Sequence, residues 1–262
     1  MRRAILIFSA AFITGCAGTG TSPTSSSSAI PVSEQMPTGA AEKSAKTHTE
    51  LGTLYLEAGN FAVALEESRY AAATDPNYAP AYNLMGLVHL MLNETSQAKG
   101  AFERAIQLAP TDPQIANDYG WFLCVSGREQ EAFKYFETAT RNPLYRTPTR
   151  PYTNAGLCYL RIKDDKSAEM NFQRAVLLDG SNAQATYHLA SLSYKRGDYF
   201  NAKKLLGELH KLIEPNAESL WLGVRIERKI GDRQAEAGFS SQLRRKFAGT
   251  PEHQALMQGK FE

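Results

Sequence analysis

Three cysteines, Cys16, Cys124 and Cys158, and five histidines, His48, His89, His188, His210 and His253, are the side chains of this 262-residue chain best suited to nucleophilic, redox or metal chemistry. Their spacing argues against most of it. No two histidines stand at a ligand spacing with a carboxylate or thiol partner, and the chain contains no GxxxxGKS/T, no GxGxxG after a strand, no HExxH and no GxSxG. His89 and His188 suit packing or interface positions better than a metal site, and the acidic residues lie mostly on presumed outer, solvated faces. No catalysis, cofactor, metal or small-molecule substrate is expected. The 29 basic residues exceed the 27 acidic ones by two, and loss of Arg2 and Arg3 with a leader leaves 27 against 27, so charge gives no argument for nucleic-acid binding.

The one reactive cysteine with a clear chemical context is Cys16. The opening "MRRAILIFSAAFITGC" reads as a secretory signal, with two arginines, an apolar run from Ala4 to Ile13 and then small residues. That run is too short to span a bilayer as a helix. Ile13-Thr14-Gly15-Cys16 looks like the bacterial lipobox, so residues 1–15 are expected to be removed and Cys16 lipidated; the alternative is a plain signal peptide whose cysteine is incidental. Ala17, rather than an aspartate, follows the cysteine, which in bacterial lipoproteins implies export to the outer membrane. Several acyl chains, each adding roughly 0.8 kcal/mol per buried CH₂, make such an attachment effectively permanent. Residues 16–42 are rich in Ser, Thr, Gly and Pro and read as a flexible tether.

A repeat then sets where the remaining chemistry lies. The pairs Leu51-Gly52, Met85-Gly86, Tyr119-Gly120, Ala155-Gly156, Leu189-Ala190 and Leu222-Gly223 are 34, 34, 36, 34 and 33 residues apart. An alanine follows twelve positions after each small residue, at Ala64, Ala98, Ala132, Ala168, Ala202 and Ala235. Four further on comes a large residue in most units, as at Phe102, Phe136, Phe172, Leu206 and Phe239. Two helices approach closely only where one presents Gly or Ala, while Phe or Leu fills the space beside the contact. Turn signals at Gly59-Asn60, Gly127, Lys163-Asp164-Asp165, Gly197-Asp198 and Gly231-Asp232 separate the paired helices.

Each unit is therefore a helical hairpin that needs a neighbour. The pattern resembles the tetratricopeptide repeat and implies an all-α, right-handed superhelical solenoid of six hairpins, 45–78, 79–112, 113–148, 149–182, 183–215 and 216–250. The sixth is the most degenerate and suits a capping unit, and the tail 251–262 has room for a short helix.

On this register Cys124 and Cys158 lie on the first helices of neighbouring hairpins. In an oxidising periplasm a disulfide between them is expected, two buried free thiols being the alternative. A disulfide closing the 34-residue loop would contribute on the order of 3 kcal/mol.

In tetratricopeptide solenoids the first helices line an inner groove at positions i, i+4 and i+7. That register gives Asn83, Leu87 and Leu90; Asn117, Trp121 and Cys124; Thr153, Leu157 and Leu160; and Tyr187, Ser191 and Tyr194. The expected groove is apolar and aromatic, suited to a peptide or helix, with Trp121 as anchor and Asn83 and Asn117 placed to bond a partner's backbone. The competing role for Trp121 is to fill the interface with the next repeat. Arg150 and Arg161 flank the groove, where they could meet an acidic group. They do not reproduce the lysine, asparagine and arginine set of the chaperone-binding carboxylate clamp.

Three segments carry a closer resemblance: "NDYGWFLC" (Asn117 to Cys124), "REQEAFKYFETATRNPLY" (Arg128 to Tyr145) and "NAGLCYLR" (Asn154 to Arg161). With the lipobox, the tether and six repeats, they are similar to the PilF/PilW family of type IV pilus biogenesis lipoproteins. The resemblance runs from the leader to at least Gly231 and departs in the tether, the charged surfaces and the last repeat. It implies a non-enzymatic outer-membrane lipoprotein facing the periplasm, which binds the pilus secretin and assists its localisation or multimerisation, or stabilises the fibre. A lipoprotein regulator of a cell-wall synthase or hydrolase using the same groove is the alternative.

Overall fold

The small residues of the repeat are points of contact between helices. A Cβ on Gly156 would stand 2.6 Å from Cε1 of Phe172, and one on Gly120 2.9 Å from Cε1 of Phe136, so these two hairpins close only because the first helix yields to the ring of the second. Phe102 and Phe172 are fully buried in these contacts.

The computed structural model describes residues 30–261. The expected signal peptide 1–15, the lipidated Cys16 and the tether up to residue 29 lie outside the described residues. Among those described there is no strand and no helix long and apolar enough to cross a membrane. Thirteen α-helices form six hairpins and a closing helix: α1 Ala40–Glu57 with α2 Phe61–Thr74, α3 Ala79–Met91 with α4 Thr95–Leu108, α5 Pro113–Val125 with α6 Glu129–Arg141, α7 Thr149–Arg161 with α8 Asp165–Leu178, α9 Ala183–Lys195 with α10 Tyr199–Leu212, α11 Ala217–Ile230 with α12 Arg233–Lys246, and α13 Pro251–Met257.

Each second helix packs on its own first helix and on the first helix of the next hairpin. First helices also touch one another, α1 on α3, α3 on α5, α5 on α7 and α9 on α11. The hairpins thus form a row with the first helices along one side, which is the all-α tetratricopeptide solenoid expected from the repeat.

Local chemistry starts and stops the helices. Asn60, Asp164, Asp198 and Asp232 each accept a bond from the backbone N–H three residues on, satisfying a free donor of the following helix. The turns before them need a left-handed residue. Glycine supplies it at Gly127 (φ 78°), whereas Asn93 (φ 60°) and Lys163 (φ 62°) adopt it without glycine, so the second hairpin's turn carries no glycine signal.

The tether ends earlier than residue 42. A short 3₁₀ turn, Val32–Glu34, docks on the solenoid, where the Val32 N–H donates to Asp112 Oδ2 at 2.7 Å and the Arg146 guanidinium pairs with Glu34 at 2.7 Å. Val32 packs between Tyr78 and Ile115. A half-buried apolar side chain with a part-buried hydrogen bond outweighs the polar composition around it. Burial pushes the Asp112 carboxyl above its ordinary value, while N–H groups of Ile115 and Val32 pull it back.

His188 lies flat against Phe172, ring centroids 4.9 Å apart, and His210 bonds the Ser219 hydroxyl at 3.0 Å. Desolvation lowers the pKa of both imidazoles below the ordinary 6.5. In the folded state they therefore resist a proton that the unfolded chain accepts, and stability is lost as pH falls through 6.5. The melting temperature is expected to drop between pH 7 and pH 5, above the range of ordinary carboxylates, and the drop should be smaller in His188→Phe; equal slopes would refute this.

Candidate functional site

The residues of the "NDYGWFLC" segment divide between two sides of α5. Tyr119, Phe122 and Leu123 enter the core with Phe102 and Phe136, while Trp121 packs at its margin and opens onto a cleft of about 390 Å³ between α3, α5, α7 and the start of α9. Leu87, Leu90 and Met91 form one wall, Thr153, Asn154 and Arg150 another, and Asn182 and Gln184 close the end. Four expected groove residues, Leu87, Leu90, Trp121 and Thr153, meet here.

The floor of the cleft is Asp118, an acid that sequence reasoning passed over because acids belong on outer faces. It is 2% exposed. Its Oδ2 accepts from Asn83 Nδ2 and Gln114 Nε2, both at 2.8 Å, and its Oδ1 accepts from Asn117 Nδ2 at 2.9 Å. Asn154 Nδ2 then donates to Asn117 Oδ1 at 3.0 Å, and Tyr145 OH donates to Gln114 Oε1 at 3.0 Å. Arg150 reaches Asp118 Oδ1 at 3.7 Å. One buried carboxylate so ties α3, α5 and α7 together, with its charge met by amides and one guanidinium.

This network corrects the reading of the asparagines. Asn83 and Asn117 are buried and point into the solenoid, so their amide N–H groups are spent on Asp118 rather than offered to a partner. An unpaired amide costs more buried than exposed, which favours the internal bond. The acidic group that Arg150 meets is this chain's own Asp118, and Arg161 likewise pairs internally, with Glu129 at 3.4 Å. Both arginines stay about half exposed.

The other expected groove positions lie outside the cleft. Leu157 and Leu160 pack on the cluster around Phe172 and Leu189, and Tyr187 and Tyr194 on that around Leu206 and Leu222. Tyr194 also faces a second opening nearer the C-terminus, with Arg225 and Arg228 of α11. Asn182 Nδ2 donates to Thr153 Oγ1 at 2.9 Å, closing the cleft at its α9 end.

Cys124 and Cys158 are joined in a disulfide, with Cα atoms 5.8 Å apart and both residues fully buried. The bridge fixes α5 to α7 within the cluster against which Trp121 packs. Mass spectrometry of non-reduced peptides is expected to recover the linked pair, and Cys124→Ser/Cys158→Ser should lose on the order of 3 kcal/mol of stability; two alkylatable thiols in the native protein would refute the bond.

Among the described residues no group of three His, Cys, Asp or Glu side chains could hold a metal. His89 illustrates why: it is buried, with Nδ1 facing Glu94 at 2.6 Å, a single carboxylate rather than a ligand set.

A row of helical hairpins presenting a half-buried tryptophan in a cleft defines a tetratricopeptide-repeat protein, a class built to hold other polypeptides. The tetratricopeptide repeat family matches residues 55–117 and 149–182. Within that class the chain is similar to the pilus proteins PilF and PilW. The type IV pilus assembly protein PilF of Pseudomonas aeruginosa is 28% identical over 207 residues, 79% of this chain and 82% of PilF. The solved structure of Pseudomonas aeruginosa PilF overlays with a TM-score of 0.77 at 27% identity, covering 84% of this chain and all of that one. The crystal structure of PilW, described as a widely conserved type IV pilus biogenesis factor, does so with a TM-score of 0.75 at 26% identity, covering 81% and 98%.

Proposed function

We propose that the chain is a non-enzymatic, outer-membrane lipoprotein of type IV pilus biogenesis, which uses the cleft around Trp121 to hold the pilus secretin at the membrane. The observation that carries the reading is that Asp118 and Trp121 of "NDYGWFLC", one of the three segments that carry the resemblance to this family, line the cleft. Trp121 supplies a rigid aromatic anchor, Leu87 and Leu90 an apolar wall, and Arg150 an orienting charge. The mechanism is mass action. A lipid at Cys16 confines bound protomers to the membrane surface, and their raised local concentration drives assembly without any bond being made or broken.

Two further features support this. The disulfide and the Asp118 network stiffen the three hairpins that form the cleft, which lowers the ordering cost of binding. Val32 docks on Asp112, the N-cap of α5, so residue 32 lies beside the same hairpins.

Deletion of the gene is expected to leave secretin monomers in place of multimers, with loss of surface pili and of twitching motility. Normal secretin multimers in the deletion strain would overturn the secretin assignment.

A further inference from the structure

At the far end of the first-helix row the chain binds a piece of itself. The Phe261 ring stacks on Trp221 of α11, centroids 5.5 Å apart at 30°, and the Arg228 guanidinium covers Phe261 at 3.9 Å. The Tyr194 hydroxyl of α9 donates to the Phe261 carbonyl at 3.5 Å, so a main chain as well as a side chain is recognised there. Beside it opens a cavity of about 690 Å³ lined by Tyr194, Arg225, Arg228, Lys229, Lys260 and Phe261.

Charge in this cavity is unbalanced. Arg228 is paired with Glu236 at 2.9 Å, but Arg225, Lys229 and Lys260 have no ion-pair partner among the described residues. Arg225 lies between the rings of Tyr194 and Trp221, 5.0 and 5.7 Å from their centroids, and its Nε is buried without an acceptor. A buried donor with nothing to bond is costly, and an incoming carboxylate is the group that relieves it best.

We propose that this cavity is a docking site for an acidic, aromatic-bearing segment of a partner polypeptide, and that Phe261 holds the aromatic position until the partner displaces it. The slot between Trp221 and Arg228 takes a ring, Tyr194 takes a backbone carbonyl, and Arg225 with Lys229 takes the carboxylates. A ring slot next to a backbone donor suits a peptide; a phosphate or lipid headgroup has use for the cations alone. The site is separate from the Trp121 cleft and does not depend on the pilus assignment.

The test is fluorescence anisotropy with full-length protein in dodecyl maltoside micelles and three fluorescein-labelled peptides, GSDEFDE, GSDESDE and GSKKFKK. GSDEFDE is expected to bind about tenfold more tightly than either other peptide, and Arg225→Gln and Lys229→Gln are each expected to weaken it about fivefold. Phe261→Ala should tighten it about threefold by vacating the slot. Circular dichroism melts check that each variant folds; Lys229 and Lys260 are exposed, so Lys229→Gln and Lys260→Gln keep the test valid should Arg225→Gln unfold. Equal binding of the three peptides would overturn the proposal, as would insensitivity to the glutamine variants. Unchanged or weaker binding by Phe261→Ala would overturn the displacement, showing Phe261 to be a fixed wall. Equal binding of GSDEFDE and GSDESDE, both displaced by phosphatidylglycerol in the micelles or by inorganic phosphate, would reassign the cations to an anion or headgroup and likewise reject the peptide site.

Discussion

Asp118→Ala is expected to destabilise the protein by about 4 kcal/mol and to lower its melting temperature by about 10 °C. The carboxylate accepts from Asn83, Gln114 and Asn117, and alanine leaves those three amide donors facing a void in an almost fully buried site. Each stranded donor costs roughly 1–3 kcal/mol, partly recovered by local shifts. Asn83 has little left to recover with, since its Oδ1 is already buried without a partner. Asp118→Asn should be nearly as damaging, because its own N–H₂ would confront donors where an acceptor is needed. The contrasting control is Asp165→Ala. Asp165 pairs with Lys195 at 2.5 Å, but Lys195 is exposed and Asp165 only partly buried, and such a pair contributes less than about 1 kcal/mol. Denaturant melts followed by circular dichroism would show the difference; equal effects of Asp118→Ala and Asp165→Ala would remove the network from the account of stability.

Gly156→Val is expected to cost about 3 kcal/mol, and its partner Phe172→Leu to restore part of that loss in the double variant. Three atoms of the Phe172 ring lie within 2.8 Å of where a Cβ on Gly156 would stand, and that ring is fully buried and stacked against His188. It has no solvent to swing into. The gain in helix propensity on leaving glycine, under about 1 kcal/mol, is too small to offset the clash. Gly100, on the outer face of α4, has nothing within 4 Å of its notional Cβ, so Gly100→Ala should be neutral or slightly stabilising. If Gly156→Val and Gly100→Ala melted alike, close approach at the repeat's small residue would not be what spaces the hairpins.

These two substitutions mark where sequence was informative and where it stopped. The Gly156–Phe172 contact is legible because a small residue followed sixteen positions later by a large one recurs down the chain, and repetition turns a weak pair into a register. The same register gives Asn83, Asn117 and Thr153 matching positions on α3, α5 and α7. A row fixes a face of a helix, however, and says nothing of whether that face is open. Asp118 stands one residue off the row, about 100° around α5, and there it collects the amides that were expected to point at a partner. The signals were the adjacent Asn117-Asp118 pair and the nearby Arg150, a cation with an acid to meet inside the fold. The turn at Asn93 was silent because asparagine replaces glycine there. Docking of Val32 and the return of Phe261 onto Trp221 are long-range events between segments with no shared period, and no local pattern encodes them.

The Trp121 cleft is the central claim, and a binding titration of the purified secretin's periplasmic domains against wild type and Trp121→Ala tests it most directly. Trp121 is part of the cleft wall and packs only at the margin of the core, so its removal should weaken secretin binding more than about tenfold while the thermal melt shifts by only a few degrees. Secretin binding by Trp121→Ala with wild-type affinity, or no binding by either protein, would contradict it.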